Sequence, residues 1–445
     1  MTLTRHGSIP YAMLITVLAV INLASVEILY ADLPWDSLKV NLSLQYRLMY
    51  NASNIPGPTE TSFTNTKGYE FFRQRFRIGL DVQPSENVGG YVQFEFRNAW
   101  GVGAGFTDPR GLASGELSLG NVAFNRLTPR GLRYAYLYAS PADKHTLSVG
   151  ILPLSDQFSD ALFSADWDFN VGGAILEGKF DDSNYRLGYV RLVEGVGTVD
   201  MDELGKDAHL VISDYNFSLG TGNTAGIHAY YFRNDVEILG QMQQAWFGLT
   251  GSTLVGEASI NGFGLVNTGE LNDESHTGFA AKLEAKLPIE NSTLSVQVLY
   301  TSGDDEGEVN NQFVTMQSLV GTEGYWGYTH ILTANGPSDV NDLGLDIGNA
   351  RGFADRAGLF TPQVKLDVPI ITEKLDLQAT GGYFLASKER NETTTIGAEI
   401  GGQLRLKVAE HLHWEAGAAY AVLDDFFGKD SDNLYEVFSR FQLEF

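Results

Sequence analysis

The stretch NLYEVFSRFQLEF, Asn433 to Phe445, decides the reading of this chain. From Tyr435 onward one face carries Tyr435, Val437, Ser439, Phe441, Leu443 and Phe445, and the other carries Glu436, Phe438, Arg440, Gln442 and Glu444. Alternation with period two over this length marks a β-strand with one apolar face. Ending on a half-apolar strand with an aromatic last residue is unusual for a soluble protein. It suits the closing strand of a membrane barrel, which completes the sheet and removes its edge. With Phe445 in the final position, the strand also resembles the signal that such barrels present to their assembly machinery.

Upstream the rhythm recurs. In Val40–Tyr50, the residues Val40, Leu42, Leu44, Tyr46, Leu48 and Tyr50 oppose Asn41, Ser43, Gln45 and Arg47. In FRQRFRIGLDV, Gln74, Phe76, Ile78, Leu80 and Val82 oppose Arg73, Arg75, Arg77 and Asp81, and after PSEN the run YVQFEFR sets Val92, Phe94 and Phe96 against Gln93, Glu95 and Arg97. Further candidate strands are Leu132–Tyr138, His145–Ile151, Gly173–Phe180, Tyr185–Leu192, Ala208–Phe217, Thr224–Phe232, Ile238–Thr250 and Leu254–Leu265. They continue with Thr277–Leu287, Thr293–Thr301, Leu359–Val368, Leu375–Ala386, Thr395–Val408 and Leu412–Leu423. The fold class predicted is all-β, a transmembrane antiparallel β-barrel of 18 strands; weak patterning around Gly173, Gly240 and Ala258 leaves 16 as the alternative. Connections after even-numbered strands are short (PSEN, SPADK, DDSN, SLGTGN, GST, PIENS, PIITEK, AEH), whereas long loops near 101–131, 152–172 and 302–358 follow odd-numbered ones. Short turns on one side and long loops on the other are the habit of outer-membrane barrels. A soluble β-sandwich has no reason to sort its loops this way.

Composition narrows the function. The 445 residues include no cysteine, which removes disulfides and thiolate chemistry, and a formal charge of -25 argues against nucleic acid as a partner. Arg5 and His6 precede an apolar run, Tyr11–Leu23, and a small-residue cleavage position follows at Ala31, so residues 1–31 read as a signal peptide and 32–445 as a single barrel in the outer membrane of a Gram-negative bacterium. There the chain would meet outer-membrane lipid and lipopolysaccharide. Nucleophile-elbow, zinc-spaced histidine and phosphate-loop motifs are lacking, so neither an enzyme nor a cofactor is expected.

Charges of both signs line the polar faces, among them Lys282, Glu284 and Lys286 on one strand and, beside Gln403, Arg405 and Lys407 on another. Buried in a core, unpaired charges cost several kcal/mol each. Lining water, they do not, and a pore for small hydrophilic solutes is the expectation. Candidate pore-lining residues are Arg47, Arg73, Arg75, Arg77, Arg97, Arg133, Arg186, Glu95, Lys282 and Arg405. Guanidinium groups offer planar paired donors to carboxylates, so an arginine strip would favour anions; pairing with wall acids would instead stiffen the barrel. The loop PLSDQFSDALFSADWDF, with Asp156, Phe158, Asp160, Asp166 and Trp167, is a candidate constriction, or else an external cap. Asp304, Asp305 and Glu306 form an acidic cluster that reads as solvated or as a weak calcium candidate. Tyr46, Tyr50, Tyr134, Tyr136, Tyr138, Trp414 and Tyr420 are candidates for the aromatic girdles facing the lipid interfaces.

Three stretches carry a family resemblance: FRQRFRIGLDV…GGYVQFEFRNAWG, LSVGILPLSDQ through SADWDFNVGGAILEGKF, and YTSGDDEGE followed by YWGYTHILTANG. They resemble alginate-export-type outer-membrane porins. The resemblance implies an 18-stranded barrel that moves an anionic uronate polymer through an arginine-lined lumen, with Arg73, Arg75, Arg77 and Arg97 as matching wall residues. A polymer exporter would need a periplasmic partner, and every turn on that side is short. Passive passage of small solutes, including carboxylates, is therefore the leading expectation. The alternatives are a gated exporter of an anionic polysaccharide and a non-conducting scaffold or adhesin.

Overall fold

The structure, a computed structural model, describes residues 38–55, 63–99, 132–166, 169–193, 207–235, 242–271, 274–305, 308, 310–316, 327–333 and 357–445, without the side chains of residues 97–99, 193 and 271. The expected signal segment, the loop near 101–131, Trp167 and Glu306 lie outside the described residues. The strands are β1 (Lys39–Ser53), β2 (Tyr69–Ser85), β3 (Val88–Ala99), β4 (Leu132–Ala142), β5 (His145–Pro153), β6 (Asn170–Phe180), β7 (Ser183–Val193), β8 (Ala208–Gly220) and β9 (Asn223–Asn234). They continue as β10 (Met242–Val255), β11 (Ala258–Leu271), β12 (Glu274–Ile289), β13 (Ser292–Thr301), β14 (Leu359–Ile371), β15 (Leu375–Arg390), β16 (Thr393–Ala409), β17 (Leu412–Leu423) and β18 (Leu434–Glu444). Each pairs antiparallel with its sequence neighbours, and β1 also pairs with β18, closing one 18-stranded barrel without an edge. Around the closure the main chains of Leu44 and Phe445 exchange both hydrogen bonds, 2.7 and 3.0 Å.

Even-numbered strands lead into turns of two or three residues, many with a residue at positive φ: Lys144, Asp181, Gly222, Gly256, Glu290 and Glu373. Such turns match the twist of the strands they join. One turn differs from the sequence reading. GST, residues 251–253, stays in β10 paired with β11, and the chain reverses at Gly256 and Glu257, where Gly256 has φ 63°. Glycine accepts that conformation without strain, so the reversal lies four residues later than the polar run suggests.

Large apolar side chains stand exposed on the outer surface, including Leu42, Phe72, Phe94, Leu137, Leu249, Leu283, Ile400, Tyr420, Val437 and Phe441. The inner face departs from simple polarity. On β8 to β13 it carries Leu210, Ile212, Tyr230, Phe232, Trp246, Phe263, Leu265 and Leu299, all buried. These side chains meet connecting segments folded into the barrel, described below, so a small hydrophobic core lies between wall and loops. Apolar residues on both faces blur the period of two, which is why the strands near Gly240 and Ala258 patterned weakly.

Candidate functional site

Register builds the site. Across the sheet, Arg47 lies opposite both Gln442 of β18 and Arg75 of β2, and Arg75 lies opposite Arg97 of β3. One step toward the short-turn side, Gln45 faces Arg77 and Arg77 faces Glu95; one step the other way, Met49 is flanked by Arg440 and Arg73. Odd-numbered residues of β2 point inward because Phe72 and Leu80 stand exposed outside. The described arginines of β18, β1 and β2 therefore form three stacked bands on one inner wall.

Contacts fix most of these side chains. Arg47 Nε donates to Gln442 Oε1 at 2.9 Å and Arg75 Nη2 to Gln45 Oε1 at 2.7 Å, both neutral amides. Arg77 pairs with Glu95, and Arg133 Nε lies 3.7 Å from the same carboxylate. Arg133 also donates to Gln93 and to the Ala165 carbonyl, each at 3.0 Å, and its guanidinium lies 4.5 Å from the Tyr134 ring centroid. Arg73 is buried on the same face, and the Arg97 side chain is outside those described. Arg440, on the polar face of the terminal strand but not singled out from sequence, pairs with Glu415, which also lies 3.4 Å from Arg405 Nε. Its membership follows only from knowing that β18 closes against β1.

Arg186 and Lys282 stand elsewhere on the wall. Arg186 Nε donates to Asp214 at 2.7 Å, and Asp214 also accepts from Tyr230 and pairs with His228 Nδ1, each at 2.8 Å. Lys282 points inward from β12 beside Phe263 and exerts its charge, as does Arg186, on Asp160 of the inward loop.

That loop, residues 154–166, folds into the barrel. Asp156 holds it together, accepting the N–H groups of Phe158 (2.6 Å), Asp160 (3.0 Å), Phe163 (2.9 Å) and Leu162. Burial nevertheless pushes its carboxyl up to about 7. Phe158 packs edge-on against His228, Tyr230 and Phe263, filling the space that Gly248 leaves open: a Cβ there would lie 2.4 Å from the ring. Asp160 is raised too, chiefly by burial, and Asp166 sits at the rim of the loop.

Two segments of the β13–β14 connection also turn inward. Val314 accepts from Trp246 Nε1 at 2.7 Å, and its N–H donates to Asn267 Oδ1. Residues 327–333 lie against β12, β14 and β16: Tyr328 donates to Glu284, and Glu399 receives the N–H groups of His330, Ile331 and Leu332 at 2.7, 2.9 and 2.7 Å. His330 is packed against Phe438, which explains that apolar residue on a polar face, and burial lowers its imidazole to about 4. Asp304 accepts the N–H groups of Asn310, Asn311 and Gln312, while Asp305 pairs with Lys388 at 3.0 Å. Asp304 thus shapes its loop. Among the described residues no group of three side chains suited to a metal ion occurs.

The tyrosines of β4 correct the girdle expectation. Tyr46, Tyr50, Trp414 and Tyr420 share the outward apolar face, but Tyr134, Tyr136 and Tyr138 face inward, since Leu137 between them is 71% exposed outside. Register sets Tyr136 against Tyr91 and Tyr138 against Gly89.

No protein-family model matches the sequence, and no curated protein matches it. Solved structures share the fold. Pseudomonas aeruginosa OccK5 (OpdH) is 13% identical with a TM-score of 0.57, over 92% of this chain and 98% of that one. A BenF-like porin from Pseudomonas fluorescens Pf-5 is 12% identical (TM-score 0.56; 91% and 98%), as is Acinetobacter baumannii OccAB4 (TM-score 0.54; 91% and 98%). At such identities the likeness establishes the 18-stranded fold.

Proposed function

We propose that this chain is an outer-membrane channel for passive passage of small hydrophilic solutes, with preference for anions and among them carboxylates. The observation that carries the reading is the set of register-stacked arginine bands on the inner wall of β18, β1 and β2. The described loops pack chiefly against the walls of β8 to β16 and touch the arginine side at Arg133 and Phe438. A guanidinium fork binds carboxylate oxygens in pairs, and fixed positive charge raises the local anion concentration. The fold likeness to a protein described as a porin supports the same reading. In it, residues 1–31 direct export, the strand ending at Phe445 is read by the barrel-assembly machinery, and the apolar outer face meets lipid and lipopolysaccharide. Uronate-like carboxylates are the solutes that the alginate-export resemblance adds.

Inward packing of the loops favours one competitor, a barrel closed by its own loops and serving as a scaffold. Single-channel recording of refolded protein in a planar bilayer under a salt gradient separates the two. The expected result is steady open channels whose reversal potential has the anion-selective sign. Silence in every salt would sink the channel reading.

The membrane placement has its own test. Ile400 is 70% exposed near the middle of β16 on the outer face. Ile400→Arg is expected to destabilise the barrel in lipid vesicles by about 2–4 kcal/mol, as for a charge near the bilayer midplane. Urea unfolding followed by tryptophan fluorescence measures this, and a cost near zero would mean that this face does not meet hydrocarbon.

A further inference from the structure

Below the arginine bands, toward the short turns, the same wall changes character. One register row reads Asn41, Asp81, Tyr91, Tyr136 and Gly150. Tyr91 and Tyr138 lie over glycines: a Cβ on Gly79 would sit 2.4 Å from the Tyr91 hydroxyl, and one on Gly89 would sit 2.3 Å from the Tyr138 ring. The rings are thus laid along the wall and do not project across the lumen. Tyr136 has its ring centroid 5.7 Å from that of Tyr91 and 6.3 Å from that of Tyr138, tilted at 47° and 51°. The three rings make a shallow half-exposed trough. Its border is polar: Tyr138 donates to Asp81 at 2.9 Å, Gln83 donates to Asp81 at 2.9 Å, and Gln93 donates to the Tyr91 hydroxyl at 2.8 Å. Among the described residues the Tyr136 hydroxyl has no protein partner, and Gly150 leaves the wall beside it without a side chain.

We infer that this trough is a stacking subsite for neutral pyranosides. The inference rests on the reading of a water-filled lumen but not on anion preference. A tyrosine face carries negative potential and attracts the polarised C–H face of a sugar ring, while an apolar body with a wet hydroxyl edge suits a solute that is flat on one side and hydroxylated at its rim. The Asp81 carboxylate and the amides of Asn41, Gln83 and Gln93 can exchange hydrogen bonds with sugar hydroxyls. Asp81 repels an anion here, so the ligand of this band is uncharged, unlike that of the bands above.

The test is current block of the wild-type channel by maltohexaose, with a polyethylene glycol of the same hydrodynamic size as the control for simple occlusion. The expected result is resolved blocking events with maltohexaose at concentrations where the polymer gives none. Tyr136→Ala should shorten them about tenfold, the loss of roughly one stacked ring. Tyr136→Phe, which keeps the ring, should shorten them less. Arg75→Gln should leave them unchanged, which separates this subsite from the anion bands. Conductance with equal block by sugar and polymer, or events insensitive to Tyr136→Ala, overturns the subsite and leaves the channel reading intact. A barrel without conductance that also shows no maltohexaose binding by calorimetry overturns both.

Discussion

Neutralising Arg73, Arg75 and Arg77 together as glutamines is expected to abolish most of the anion preference of the open channel. The three do not weigh equally. Arg77 is paired with Glu95, so its field in the lumen is offset. A unit charge about 6 Å from a permeating ion in water-like surroundings is worth roughly 0.7 kcal/mol before screening, so three give about 2 kcal/mol at most, a factor of roughly thirty. At physiological salt the Debye length is about 8 Å, which trims the effect to several-fold and makes it larger in dilute salt. Arg77→Gln alone should do something different: it removes the cation paired with Glu95 and leaves that carboxylate its contact to Arg133 at 3.7 Å, and should shift selectivity toward cations. Reversal potentials at low and high salt measure all of these. Unaltered selectivity in the triple variant would assign the arginines to wall stiffening.

How far the sequence reached follows from where alternation survives. β1, β2, β3 and β18 carry one apolar outer face and one mostly polar inner face, and their strands and inward residues are visible as a period of two. What stayed hidden depends on partners distant in sequence. Arg440 joins the bands because β18 closes onto β1, a pairing that separates residues by nearly the whole chain. Tyr136 reads equally well as a girdle residue until its register with Tyr91 shows which way it points. Inner-face Trp246 and Phe263 break the alternation because loops cover them, and no local pattern announces a loop folded inside a barrel. The acids that organise those loops, Asp156, Asp304 and Glu399, carry no local mark of that role in the sequence. Each is a buried acceptor for successive backbone N–H groups, a role set by loop geometry and not by residue type.

Asp156→Ala is expected to release the inward loop, raising open-channel conductance and its noise. Four N–H groups point at this carboxylate within a loop of thirteen described residues, 154–166, and truncation leaves all four without their acceptor. An unsatisfied buried donor costs about 1–3 kcal/mol, so the loop stands to lose more than the packing of Phe158 alone returns. The wall network of Arg186, Asp214 and His228 makes its own bonds, so the barrel should survive with its strand content intact. A pH dependence accompanies the release. Burial raises the folded-state carboxyl to about 7, above its ordinary range, because desolvation outweighs the four N–H bonds. A raised acid contributes stability that is fully present below its unfolded value, near 4, and is lost as pH rises through the folded value. The loop should therefore be held more firmly at pH 5 than at pH 8, and current noise should grow across that interval. Asp156→Asn cannot titrate; its oxygen keeps part of the bonding while the amide nitrogen cannot accept, so noise should be intermediate and flat with pH. Wild-type noise independent of pH, or a pH dependence that persists in Asp156→Asn, would show that some other group governs the loop.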